Sequence, residues 1–145
     1  MKRLALLFAC FAFLAAPASA QEGERIAHSP SARFSAAIQV GNTYWLSGKL
    51  GANGETRAMT EGRVAAETHN IMRAFGEQLS ELGMDYQDLV RATVYLADIS
   101  GYSEMNEAYS SYFEGGTAPS RVTVAVSGLV GGAAIEISFI AVKTD

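Results

Sequence analysis

The chain has 145 residues, 49% hydrophobic and 18% charged, which fits one globular domain with a sizeable core. Its net charge is −4 at pH 7, and it carries no basic run. Nucleic acid is therefore not an expected partner, because phosphate binding needs clustered Lys and Arg.

The first twenty residues read as a secretory signal. Lys2 and Arg3 are followed by an apolar stretch from Leu4 to Ala16 and then by Ala18-Ser19-Ala20. A basic start, a short apolar core and a small-residue triplet are the parts of a cleaved leader. The apolar stretch is shorter than the roughly 20 residues that a membrane-spanning helix needs. Cleavage is expected after Ala20, leaving residues 21–145 periplasmic or secreted with no membrane attachment. Two readings compete: an uncleaved anchor, and lipidation of Cys10 in Leu7-Phe8-Ala9-Cys10. Lipidation would cut the apolar core to about six residues and leave the Ala-Ser-Ala triplet unexplained. Cys10 is also the only cysteine, so residues 21–145 hold no disulfide, thiol nucleophile or cysteine metal ligand.

Residues 21–33, polar and with a Pro, read as a flexible lead-in to a domain over 34–145. Gly41-Asn42 between β-forming runs is a hairpin signal, with strands expected at 34–40 and 43–48. A loop follows over 51–59. Val64, Thr68, Ile71, Phe75, Leu79 and Leu82 then recur at spacings of three and four, one face of an amphipathic helix. Thr60 suits its N-cap and Gly83 its C-terminal stop. A strand is expected over 89–97. A second helix spans 103–113, with Met105, Tyr109, Tyr112 and Phe113 inward and Gly115-Gly116 ending it. The last two strands fall at 120–126 and 134–142. The order β β α β α β β predicts a two-layer α+β sandwich, a sheet packed on two helices. Tyr44, Trp45, Ile38, Ala36 and Ala37 leave both faces of the first hairpin apolar, which suggests oligomerisation.

Two charges interrupt the last strands. Side chains alternate along a strand, so Arg121, Thr123 and Ala125 share one face of the first, and Val122, Val124 and Val126 share the other. On the second, Glu136 and Ser138 lie opposite Ile135, Ile137 and Phe139. The Val and Ile faces are assigned to the core. If the two strands are neighbours, Arg121, Thr123, Glu136 and Ser138 converge. One reading is a solvated ion pair of Arg121 with Glu136, contributing about 0–1 kcal/mol. The other is an anion site, with the Arg fork gripping a carboxylate and Glu acting as base. Elsewhere, His69 on the first helix and His28 in the lead-in have no converging ligands, so no metal site is expected. Tyr102, Tyr109 and Tyr112 stand at helical spacing and read mostly as packing. Ser47 and Ser111 have no His partner for a hydrolytic triad.

The stretch Pro119-Ser120-Arg121, with Val124, Leu129 and Ile135-Glu136-Ile137, resembles the C-terminal signature of the RidA (YjgF/YER057c/UK114) family. Ser47-Gly48 resembles the family's second strand, and Asn106 stands at the family's asparagine. The resemblance covers about residues 33–143. It implies a chorismate-mutase-like α+β sandwich and a homotrimer with pockets between subunits. It also implies hydrolysis of enamines and 2-imino acids, such as 2-aminoacrylate, to 2-oxo acids and ammonia. No metal or organic cofactor is implied. By the resemblance, Arg121 grips the substrate carboxylate with help from the Gly48 backbone, and Glu136 positions or activates water. Thr123, Asn106 and Phe34 line the pocket. Archetypal members carry Cys where Thr123 stands and Tyr where Phe34 stands, and both departures bear on which substrate fits. The competing expectation is a non-catalytic trimer that binds small carboxylates or acts as a holdase-like protein. It needs Arg121 but not Glu136.

Overall fold

The computed structural model describes residues 23–52 and 64–144. The expected leader, Thr60 and most of the 51–59 loop lie outside the described residues. In chain order the elements are β1 (Arg25–Pro30), β2 (Ser35–Val40), β3 (Thr43–Leu50), α1 (Val64–Glu81), β4 (Leu89–Leu96), α2 (Tyr102–Ser110), β5 (Ser120–Ala125) and β6 (Ile135–Val142). The strands form one sheet in the order β1-β2-β3-β6-β4-β5. Both helices lie on one face of it, so the expected two-layer α+β sandwich is the architecture.

The sheet begins earlier than the sequence reading places it. Residues 25–30, taken there as flexible lead-in, pair antiparallel with β2 from Arg25↔Val40 to Pro30↔Ser35. An edge strand keeps one side of its backbone unpaired and tolerates polar residues and a terminal Pro. Polarity and Pro30 therefore did not mark a loop. The β2–β3 hairpin turns at Gly41, whose φ of 60° suits glycine.

Helix α1 buries Glu67, Thr68, Ile71, Met72, Phe75 and Leu79. It stops where expected. Gly83 takes φ 69°, its N–H donates to the Ser80 carbonyl at 3.0 Å, and the Met84 N–H donates to the Leu79 carbonyl at 2.8 Å. This is the Schellman pattern that glycine permits. Phe75 meets Phe139 of β6 edge-on, with ring centroids 4.8 Å apart. Met105, Tyr109 and Phe113 bring α2 and the 3₁₀ turn after it onto the same core, which also takes Val94, Leu96, Ile135 and Ile137 from the sheet.

Glu67 is the one buried charged residue among the described core. Its carboxylate accepts from the backbone N–H of Ala134 at 2.8 Å and of Ile135 at 3.3 Å. Burial pushes its pKa up, and these two donors pull it partly back. Glu67 thereby fixes the start of β6, one residue before Glu136. Gly51 makes room for this contact, because a Cβ there would run into Glu67.

The order of the last strands decides the site. Strand β4, helix α2 and β5 form a crossover unit, so β5 lies parallel to β4. Strand β6 then inserts on the other side of β4, antiparallel to both β4 and β3. Strands β5 and β6 are therefore not neighbours.

Candidate functional site

Arg121 is in register with Ala92 of β4, and Glu136 with Tyr95. Ala92, Val94 and Leu96 are the buried, helix-facing side of β4, so Arg121 and Thr123 share the helix-facing side. Glu136 and Ser138, paired with Tyr95 and Thr93, point to the other face. Two strand spacings alone put about 10 Å between the two charges within one chain. The Arg121–Glu136 pair and the convergence of four polar groups on one wet face are thus corrected. The face assignment on β5 is corrected with them: Val122 and Val124 are each 40% exposed on the open face. The valines mark an apolar outer face of the sheet rather than the core.

The crossover sets Arg121 against α2. Tyr102, Asn106 and Tyr109 stand at positions i, i+4 and i+7 of that helix, on one side of it, with Met105 beside them. The Arg121 guanidinium donates to Asn106 Oδ1 and points Nη1 at Met105 Sδ, 3.7 Å away. Its Cζ lies over the Tyr109 ring at 4.8 Å from the centroid, a cation–π contact. No carboxylate among the described residues pairs with it. A cavity of about 700 Å³ opens beside it, lined by Asn106, Glu107, Tyr109, Phe113, Pro119 and Arg121 among others. That size suits a small organic ligand.

Hydroxyls lie on this helix-facing side of the edge as well. The Thr123 Oγ1 and Tyr109 OH are buried and make no hydrogen bond. Burial pushes the Tyr109 phenol up to about 12, although Arg121 pulls the other way. Tyr102 is half-exposed. Its hydrogen bond with Asn106, then the charge of Arg121 and a bond to it, hold its pKa below the ordinary tyrosine range.

The second group of expected residues lies elsewhere on the chain. The β3–β6 register shifts between Leu46 and Lys49, a bulge at Ser47-Gly48 that leaves Gly48 exposed. The Glu136 carboxylate lies over Gly48, and a Cβ at that position would run into its Oε1. Glycine here is a matter of close approach to an acid. Ser47 is turned away and donates to the Ser35 carbonyl at 2.7 Å. Phe34, just before β2, is 64% exposed. The structure thus groups Arg121, Asn106 and Thr123 on the helix side of one edge of the sheet. It groups Gly48 and Glu136 on the open face near its middle.

Met105, Tyr109 and Tyr102 were not singled out as site residues. Their spacing around Asn106 on α2 was the available signal, and it also fits plain packing. His69 is engaged with Tyr112, Nδ1 lying 3.0 Å from the phenol oxygen. His28 Nε2 lies 3.0 Å from Gln39 Oε1 on the neighbouring strand.

Fold and geometry together define a small α+β protein whose edge strand presents an unneutralised guanidinium to a ligand-sized cavity. The family model described as Endoribonuclease L-PSP matches residues 25–143, and the chain belongs to this family, the YjgF/RidA family. A RutC family protein of Pyrococcus abyssi is 37% identical over 117 residues, 81% of this chain and 91% of that one. The 2-iminobutanoate/2-iminopropanoate deaminase of Mus musculus is 34% identical over 110 residues, 76% of this chain and 81% of the relative. Among solved structures, a YjgF family member from Neisseria meningitidis superposes with a TM-score of 0.75 at 27% identity, covering 86% of this chain and 98% of that one. RidA from an Antarctic Psychrobacter gives 0.72 at 29% identity, covering 81% and 94%.

Proposed function

We propose that this protein hydrolyses small 2-imino acids to 2-oxo acids and ammonia in clefts between copies of the chain. The observation that carries the reading is the Arg121 guanidinium, which faces a cavity with no carboxylate partner among the described residues. A cation held by an amide, a thioether and an aromatic ring stays charged and unneutralised. A ligand carboxylate then gains two parallel charge-assisted bonds from the fork. Several relatives at 34–36% identity bear the name 2-iminobutanoate/2-iminopropanoate deaminase, which supports an imino acid as the ligand. The family description names an endoribonuclease. One guanidinium beside Glu107, on a chain of net charge −4, does not suit a polyanion.

The chemistry needs a base and water. With the carboxylate on Arg121, water attacks C2 of the C=N group. The base takes one water proton as the C–O bond forms, and the imine nitrogen gains a proton. The resulting carbinolamine collapses when its hydroxyl proton is lost and the nitrogen is protonated again. The C–N bond breaks, and ammonia leaves a 2-oxo acid. Glu136 is the carboxylate assigned to this exchange.

Within one chain Glu136 lies across the sheet from Arg121, so the reading requires a second copy. The open face supports one. Trp45, Val122 and Val124 are exposed on it at 40–45%, an apolar surface that closure into a ring would cover. We assign three copies, each offering Gly48 and Glu136 to the Arg121 edge of the next. A non-catalytic carboxylate-binding trimer would share the same Arg121 site.

Freshly generated 2-imino acids, among them the 2-iminopropanoate that forms when the enamine 2-aminoacrylate tautomerises, separate the two. Release of 2-oxo acid and ammonia above the spontaneous rate is the expected result. Tight binding of 2-oxo acids without any acceleration would leave the binding protein as the correct reading.

A further inference from the structure

A second cavity, of about 420 Å³, opens between the C-terminal half of α1 and the β1–β3 end of the sheet, far from the Arg121 edge. His28, Ser29, Lys49, Glu77, Gln78 and Glu81 line it. Glu77, Gln78 and Glu81 fall on one stripe of α1. Gln78 Nε2 donates to the Ala36 carbonyl of β2 at 3.1 Å, which ties this stripe to the sheet. Lys49 stands just past the β3 bulge, its Nζ 5.0 Å from the ring centroid of the buried Phe75. Its ammonium is held against the core and makes no hydrogen bond or ion pair among the described residues. Burial lowers its pKa, and the charges of Glu77 and Glu81 pull it partly back. Those two carboxylates stand one turn apart on α1, where like charges repel. One cation and two anions thus share a cavity without touching. A simple anion entering it would meet the glutamates, and a simple cation would meet Lys49. A ligand with charges of both signs suits all three.

We propose that this cavity is a second ligand site, distinct from that at Arg121, which holds a small α-amino acid as its zwitterion. Lys49 donates to the carboxylate, and the ammonium donates to Glu77 and Glu81.

The test is an amide NMR titration of the protein with L-alanine, propanoate and ethylamine. L-Alanine should shift Lys49, Gln78 and Glu81 in a saturable way, and the same shifts should appear in Arg121→Ala. Propanoate and ethylamine, each with one of the two charges, should bind there about tenfold or more weakly. Lys49→Met keeps an apolar stem over Phe75 and removes the charge. Glu77→Gln combined with Glu81→Gln neutralises the other end on an exposed face. Each should weaken L-alanine about tenfold or more. If Lys49→Met fails to fold, the glutamine pair carries the same test. Shifts absent from these residues, or lost in a folded Arg121→Ala protein, would overturn the site. Unchanged L-alanine affinity in a folded variant of either end would overturn it too, as would ethylamine or propanoate binding as tightly as L-alanine.

Discussion

The Arg121→Ala variant is expected to lose acid binding and turnover together. Its guanidinium is held by Asn106, Met105 and the Tyr109 ring, none of which carries charge to neutralise it. In the proposed function the ligand carboxylate is the partner that does so. Losing one member of a desolvated charge pair costs about 2–5 kcal/mol, roughly 30-fold or more in affinity. Calorimetry with pyruvate should show no measurable heat for the variant at concentrations that saturate wild type. The fold should survive, since Arg121 sits on the edge strand β5 outside the main aromatic core. Unchanged pyruvate binding in a folded Arg121→Ala protein would move the anion site elsewhere.

Glu136→Gln is expected to separate the two functions. The amide keeps the size of the side chain packed over Gly48 but cannot accept a proton from water. Acid binding at Arg121 should persist. Hydrolysis of 2-aminoacrylate should fall by about 10²–10⁴, the usual contribution of a positioned base. A Glu136→Gln protein as fast as wild type would show that Glu136 is not the base. The chain would then stand as a carboxylate-binding protein.

Elements set by local pattern were legible in the sequence. The three-and-four spacing from Val64 to Leu79 marked α1, and Gly83 marked its end, because both signals are local to the helix. The Gly41-Asn42 hairpin was legible for the same reason. Strand β1 was hidden because edge strands lack the alternation of buried strands, and Pro30 read as loop. The site was half legible. Residue types pointed to a cation and an acid, and the family resemblance to an asparagine, but the spacing could not show which strands pair. The insertion of β6 between β3 and β4 is a long-range choice with no local signature; it holds Glu136 two strands from Arg121, and the register of both strands on β4 puts them on different sides of the sheet. The valines of β5 misled for a related reason. An exposed apolar face of the sheet has the same alternation as a buried one, so hydrophobicity cannot distinguish the two. Tyr109 was hidden in the helical pattern of α2, where a residue lining a cavity and one facing the core share the same spacing.

The central claim is that one site takes Arg121 from one copy and Glu136 from another. It is tested most directly by mixing two inactive variants. Arg121→Ala and Glu136→Gln proteins are co-assembled in equal amounts, and imine hydrolysis is measured against each variant alone. In a ring, a site can draw an intact Arg121 from one variant and an intact Glu136 from its neighbour. Random assembly of equal amounts should restore roughly a quarter of wild-type activity. Co-assembled rings that stay at the level of the separate variants would contradict a site shared between copies.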